Sequence, residues 1–163
     1  MILVTYHSNT GNTKRVAGAI YEALPESGEI LPADEVKDVA SYDVVFAGFP
    51  MEAYGPGDEA QAFLKALPEG TPLALFVTHG APEAFPLMEE WLDRFRKAAA
   101  HANLLGLFHC QGQMADAVAE QLARSGDPQL ERFAAMAPAT KGKPDDDALG
   151  RANAFAREMV QTL

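Results

Sequence analysis

The 163 residues carry 48 % hydrophobic side chains, enough for one domain with a substantial core, and no segment is biased enough in composition to be disordered. A formal net charge of −10 argues against a nucleic-acid partner, which needs clustered Lys and Arg, and leaves a solvated acidic surface or steering towards a basic partner. The single cysteine excludes an internal disulfide framework and a cysteine-rich metal site. With no signal-type opening and no window near the roughly 20 apolar residues of a membrane span, the expectation is a cytoplasmic protein that does not enter the membrane.

Ile2–Tyr6 reads as the first strand, nearly all apolar, as in strands buried on both faces of a parallel sheet. After the polar turn Ser8–Thr13, Val16, Ala19, Ile20, Ala23 and Leu24 form one helical apolar face that stops at Pro25. Gly28–Ala33 is a weaker strand candidate. Val44–Phe49 is a clear one, followed by a helical face of Ala60, Phe63, Leu64 and Leu67 that ends at Pro68. Leu73–Thr78 is the next strand, and Met88, Trp91, Leu92 and Phe95 make a third helical face. Leu104–Cys110 is the last strand. Helix-like pieces at Met114–Arg124 and Pro128–Met136, a loop at Ala137–Asp146 and a final helix from Asp147 to Leu163 complete the chain. Alternation of strand and helix predicts right-handed βαβ units. The fold class is α/β, a three-layer sandwich with a five-stranded parallel sheet in order 2-1-3-4-5 and helices on both faces, forming one domain over residues 1–163.

In such a sheet the ligand sits beyond the C-terminal strand ends where the order reverses, between the first and third strands. The loop after the first strand is Ser8-Asn9-Thr10-Gly11-Asn12-Thr13. Its three hydroxyls can donate, Gly11 permits close backbone approach, and the following helix offers free N–H groups and a positive dipole end. This suits a phosphate. Lys14 and Arg15 can add charge from the first helical turn, but the primary cradle is neutral. A Walker A loop and the three-glycine dinucleotide fingerprint both need glycines that are absent. A phosphatase would need a cysteine here, and a receiver domain would need acidic residues in place of His7-Ser8 and Pro50-Met51. Without a ligand, the same turn reads as a Ser/Thr/Asn-rich helix cap.

The run Val4-Thr5-Tyr6-His7-Ser8-Asn9-Thr10-Gly11-Asn12-Thr13-Lys14-Arg15-Val16-Ala17 resembles the FMN-phosphate signature of the flavodoxin family. Thr5 and Gly18 depart from it, where the family carries larger apolar residues. The resemblance implies that FMN is the cofactor and that two further loops clasp its isoalloxazine ring. Those loops are Gly48–Gly57, with Pro50, Met51, Glu52, Ala53, Tyr54 and Gly55, and Thr78–Phe85, with His79, Gly80, Ala81 and Phe85. Leu105–Met114 is also similar to the family. A planar ring wants flat aromatic contacts, so Tyr54 is the first stacking candidate, Phe85 the second and His79 the third, although Tyr54 also reads as an ordinary turn tyrosine. Gly55 and Gly57 are candidates for a flipping peptide. His79 either meets the ring and titrates near neutral pH or is a satisfied loop residue. Cys110 reads as a small buried residue, Trp91 as core, and Asp145–Asp147 as a helix start rather than a cation site.

Electron transfer by a bound flavin needs no catalytic side chain. The expected function is therefore an FMN-binding electron carrier, monomeric or weakly dimeric, that passes electrons between a reductase and a redox partner protein with a basic docking face. Carboxylates at Glu52, Asp58, Glu59 and Glu83 would lower its potential; one carboxylate ~8 Å away at an effective dielectric of ~20 costs about 2 kcal/mol, or ~90 mV per electron. An FMN-dependent NAD(P)H:quinone oxidoreductase is the first alternative, with no clear insertion to form a substrate pocket. A non-redox flavodoxin-like binding module is the second.

Overall fold

Apolar runs that are continuous in sequence alternate in space. The computed structural model describes residues 1–25 and 27–163, and its strands are β1 (Ile2–Tyr6), β2 (Gly28–Pro32), β3 (Val44–Glu52), β4 (Gly55–Pro56), β5 (Pro72–His79) and β6 (Asn103–Gln111). Five of them form a parallel sheet in the order β2-β1-β3-β5-β6, and the two-residue β4 pairs antiparallel with the end of β3. Discounting β4, this is the expected order. Ile2 lies opposite Gly28 on one side and Val44 on the other, which places the reversal of strand order between β1 and β3. A register irregularity after Leu73 lets β6 carry one extra residue, Leu105, against β5.

The helices are α1 (Asn12–Glu22), α2 (Asp58–Ala66), α3 (Met88–Ala98), α4 (Asp116–Ala123), α5 (Pro128–Met136) and α6 (Asp146–Gln161), with short 3₁₀ turns at Ala33–Glu35 and Ala137–Thr140. Along β3, Val44 and Phe46 join Val16, Ala17 and Ile20 of α1 and Ala148, Ala152 and Ala156 of α6. Val45, Ala47 and Phe49 point the other way, to Leu64 of α2 and Trp91, Leu92 and Phe95 of α3. One period-2 strand thus feeds two cores. The central strands β1, β3 and β5 are almost wholly buried, whereas every residue of the edge strand β2 is half-buried. That is why Gly28–Pro32 reads weakly as a strand: it has one neighbour and less apolar surface to bury. Among the described residues, no helix is long and apolar enough to cross a membrane.

Two features fix the ends of elements near the reversal. Asp145 caps α6, its carboxylate accepting from the Ala148 N–H at 2.9 Å, which accounts for the acidic run as a helix start. Gly48 on β3 faces the fully buried Phe76 ring so closely that a Cβ would lie 1.9 Å from it, so glycine is required there.

Candidate functional site

The turn after β1 is built around Gly11, whose φ of 94° only glycine adopts at no cost. Its N–H donates to Ser8 Oγ at 3.0 Å and its carbonyl accepts from Arg15 N at 3.0 Å, so the chain turns directly into α1. No side chain caps α1, and the N–H groups of its first turn have no intrahelical acceptor. They face outward as a ready anion site. Ser8 Oγ accepts from the turn and keeps its own proton to donate, and Thr10 is exposed. Thr13 differs: it is buried, and its hydroxyl shares a 2.8 Å hydrogen bond with the Thr78 hydroxyl of β5. Two hydroxyls are therefore freely presented, and the third ties the turn to the sheet.

Asn12 does not point its amide into the cradle either. Its Nδ2 donates to the Gln113 carbonyl at 2.9 Å, and it packs so tightly on Gly112 that a Cβ there would lie 2.5 Å from the amide nitrogen. The segment after β6 is in turn held by the loop that follows α5. Gln113 N donates to the Lys143 carbonyl at 2.8 Å, Gly142 N to Gln113 Oε1 at 3.0 Å, and Met114 N to Thr140 Oγ1 at 2.9 Å. This latch brings Lys143, paired with Asp145, beside Lys14, Arg15 and Thr10, on a flank that also carries Asp116. Lys143 is invisible to a reading of the turn alone, because it arrives from the far end of the chain.

The loop after β3 is a tight hairpin. Met51 pairs with Pro56 and Glu52 with Gly55, leaving Ala53 and Tyr54 as its two turn residues with φ of 49° and 66°. Both are left-handed, as in the primed turns that suit right-twisted strands but favour Asn and Gly. At the flipping-peptide candidates Gly55 and Gly57, neither residue has a positive φ, Gly55 is paired, and the Gly57 carbonyl accepts from Gln61 N at 2.9 Å. A Cβ at Gly57 would meet the Glu52 carboxylate, which would have to move aside. Glu52 Oε1 accepts from Asn9 Nδ2 at 3.3 Å and so joins the two loops.

Tyr54 and Phe85, the expected stacking candidates, pack against aromatics of other elements. Tyr54 lies 4.9 Å from Trp91 by ring centroid, and Phe85 stacks on Trp91 at 5.1 Å with an interplanar angle of 22°. Phe133 of α5 completes the cluster at 5.5 Å from Phe85 and 6.3 Å from Tyr54. These aromatics satisfy each other. His79 is also spoken for. Its Nδ1 donates to the Ala81 carbonyl at 2.8 Å, which leaves Nε2 to accept from His109 Nδ1 at 2.9 Å. Burial, reinforced by His109, pushes His79 down to about 4, so it is neutral at pH 7 rather than titrating there. Burial pushes the fully enclosed Cys110 thiol up to about 12, leaving it no thiolate to act with. Glu83 accepts from Arg151 at 3.0 and 3.1 Å, a guanidinium that also pairs with Asp147 at 3.0 Å, so the group keeps a net negative charge.

Two cavities meet at the C-terminal strand ends. A cleft of about 360 Å³ runs from Ser8, Asn9, Thr10, Asn12 and Thr13 to Pro50, Met51, Glu52 and Ala53, and to Thr78, His79 and Gly80. Its outer wall is Gly112, Gln113, Met114 and Val118. An apolar cavity of about 390 Å³ adjoins it and shares Met51, Ala53, His79 and Gly80. Tyr54, Ala81 and Trp91 line this second space together with Leu122 of α4 and Leu130 and Phe133 of α5. Of the expected site residues, the phosphate turn apart from Gly11, Pro50–Ala53, His79 and Gly80 converge on the cleft, and Gly11 faces the adjoining pocket lined by Lys14, Arg15 and Lys143. Tyr54 and Ala81 line only the apolar cavity, and Gly55 and Phe85 line neither. Both α4 and α5 are legible in sequence, but not their contribution of Leu122, Leu130 and Phe133 to a pocket at the strand ends.

A sequence model of the flavodoxin domain matches residues 3–157. The "Flavodoxin-like domain-containing protein BilS" of Clostridioides difficile is 28 % identical over 168 residues, spanning 97 % of this chain and 95 % of that one. Oxidised flavodoxin 2 from Bacillus cereus superposes with a TM-score of 0.64 over 99 % of both chains at 17 % identity. A flavoprotein from Lactobacillus acidophilus, solved in complex with FMN, gives 0.54 over 66 % of this chain and 91 % of that one, also at 17 % identity. FMN is the cofactor of the domain that this sequence matches end to end, and the chain belongs to the flavodoxin domain family.

Proposed function

We propose that the chain binds FMN in the cleft between Ser8–Thr13 and the β3–β4 hairpin and transfers electrons between a reductase and a redox partner protein. The observation that carries this reading is the continuity of the cleft, which joins a neutral anion cradle at one end to flat apolar and backbone surfaces at the other. The cradle fits a phosphate. Gly11 has nothing within 4 Å of where a Cβ would stand, the first-turn N–H groups of α1 are open, and Ser8 and Thr10 each have a hydroxyl proton to give. Lys14 and Arg15 supply positive charge around it, while Lys143 on the same flank is paired with Asp145.

At the other end, Met51, Glu52 and Ala53 on one side and His79 and Gly80 on the other would hold the isoalloxazine ring, which supplies the one-electron chemistry. The chain's own contribution is position, exclusion of water and field. Neutral His79 adds no positive charge, and Glu52 is the carboxylate that lines the ring's end of the cleft. The net charge of −10 supports a partner with a basic face.

The test is direct. Purified protein supplied with FMN should show bound-flavin bands near ~370 and ~450 nm, and its reduction by a flavin-dependent reductase should slow as salt is raised. Salt-insensitive reduction would contradict the docking half of the reading. Rapid oxidation of NAD(P)H by the protein alone would contradict the carrier role.

A further inference from the structure

The turn Ser8–Thr13 is anchored by side chains on two sides, and the anchors differ in what stands behind them. On the inner side, the buried Thr13 hydroxyl is tied to that of Thr78, inside the sheet. On the outer side, Asn12 Nδ2 donates to the carbonyl of Gln113, 101 positions away in sequence. Asn12 is the first residue of α1, and no side chain caps that helix. The placing of Asn12 therefore bears on where the open N–H groups of the first turn aim.

This outer anchor is only as firm as the segment that carries residue 113. Residues 112–115 belong to no helix or strand, so their backbone must be held by other parts of the chain. Gly112 N donates to the His79 carbonyl at 2.8 Å. Gln113 and Met114 are held instead by the loop before α6. Gln113 N donates to the Lys143 carbonyl, Gln113 Oε1 accepts from Gly142 N, and Met114 N donates to Thr140 Oγ1 at 2.9 Å.

Thr140 is where these bonds converge. It is fully buried and does not line the cleft. Its hydroxyl donates to the Ala137 carbonyl at 2.7 Å while accepting from Met114 N, and its own carbonyl accepts from Lys143 N at 3.0 Å. A buried hydroxyl with both roles filled has one orientation, which fixes its partners as well. A threonine that only closed the turn at Ala137 would need no bond to Met114.

We propose that Thr140 is a positioning residue for the FMN phosphate, acting through Met114, Gln113 and Asn12 on the start of α1. The inference rests on the reading that the phosphate sits at Ser8–Thr13. Donors already aimed at an anion bind it without the cost of ordering them, so loosening this chain of contacts should weaken phosphate binding in particular.

The experiment titrates flavin-free protein with FMN and with riboflavin, following flavin fluorescence, and reads the ratio of the two affinities. Thr140→Val keeps the shape and removes the hydroxyl, and should lower the ratio about fivefold, as the loss of one hydrogen bond implies. Thr140→Ser keeps the hydroxyl and should retain the parent ratio. Gln113→Met, at an exposed position, removes the acceptor for Gly142 N and should lower the ratio in the same direction; it serves where Thr140→Val does not fold. In an Asn12→Ala background, which cuts the link to α1, Thr140→Val should change the ratio no further. Equal weakening of both flavins would show a merely structural role and overturn the proposal. An unchanged ratio in Thr140→Val or, where that variant does not fold, in Gln113→Met would overturn it too, as would a full further loss in the Asn12→Ala background. A parent protein that does not prefer FMN contradicts the phosphate reading and the proposal with it, whereas a parent that prefers FMN and keeps that preference without the Thr140 hydroxyl contradicts the proposal alone.

Discussion

Thr5 sits fully buried in β1, and its Oγ1 is the one buried side-chain oxygen without a hydrogen-bond partner among the described residues. It is also a position where the sequence departs from the flavodoxin pattern, which has a larger apolar side chain there. A buried hydroxyl without a partner carries its desolvation cost unrelieved. Thr5→Val keeps the shape and removes the hydroxyl, and should raise stability by about 1 kcal/mol, read from the urea midpoint at unchanged slope; an equal or lower midpoint would show that the hydroxyl finds a partner. Thr13 is the opposite case. Its hydroxyl pairs with that of Thr78, so Thr13→Val strands a buried group and should cost about 1–3 kcal/mol. Stability measured without FMN isolates this effect from any change in phosphate binding. Two buried threonines eight residues apart, one in β1 and one in α1, thus carry opposite signs, and only their hydrogen-bond partners distinguish them.

Among the elements, the β3–β4 hairpin departs furthest from its sequence signal. Two-residue turns of its kind announce themselves through Asn-Gly or Asp-Gly, and Ala53-Tyr54 carries neither. Relieving the left-handed Ala53 with Ala53→Gly should stabilise the chain by about 0.5–1 kcal/mol, checked by thermal or urea unfolding; destabilisation would show that the turn does not hold that geometry in solution. The central strands were legible because burial on both faces leaves an unbroken apolar run, and the Ser8–Thr13 turn because its hydroxyls and glycine follow a strand and open a helix. The aromatic cluster was not legible, for a different reason. Tyr54 and Phe85 in polar loops read as ligand-facing, and the packing of Trp91 and Phe133 against them comes from distant elements. Periodicity finds α4 and α5 without saying which surface they cover. It is their placement over the strand ends that creates the apolar cavity.

For the molecule as a whole, the His79–His109 pair links folding to pH. His79 is pushed down to about 4 from an ordinary 6.5, and burial lowers His109 as well. Between these two values the unfolded chain binds a proton at His79 that the folded chain does not, so stability is full above about 6.5 and falls as pH drops towards 4. The shift corresponds to about 3 kcal/mol over that window. Urea unfolding at pH 7.5 and pH 5 should show this loss in the parent and a smaller one in His79→Gln; equal losses in both would place the pH sensitivity elsewhere. His79 lines both cavities, so the same pair keeps their shared wall uncharged at neutral pH.

The central claim is that the turn Ser8–Thr13 holds the phosphate of FMN, and the comparison of FMN with riboflavin tests it most directly, because the two differ only in that group. Titration of flavin-free protein, followed by quenching of flavin fluorescence, should give FMN an affinity at least ~100-fold above riboflavin, as the loss of two charge-assisted hydrogen bonds implies. Ser8→Ala should erode about tenfold of that preference, with riboflavin unaffected. Equal affinity for the two flavins, or no binding of either, would contradict the account.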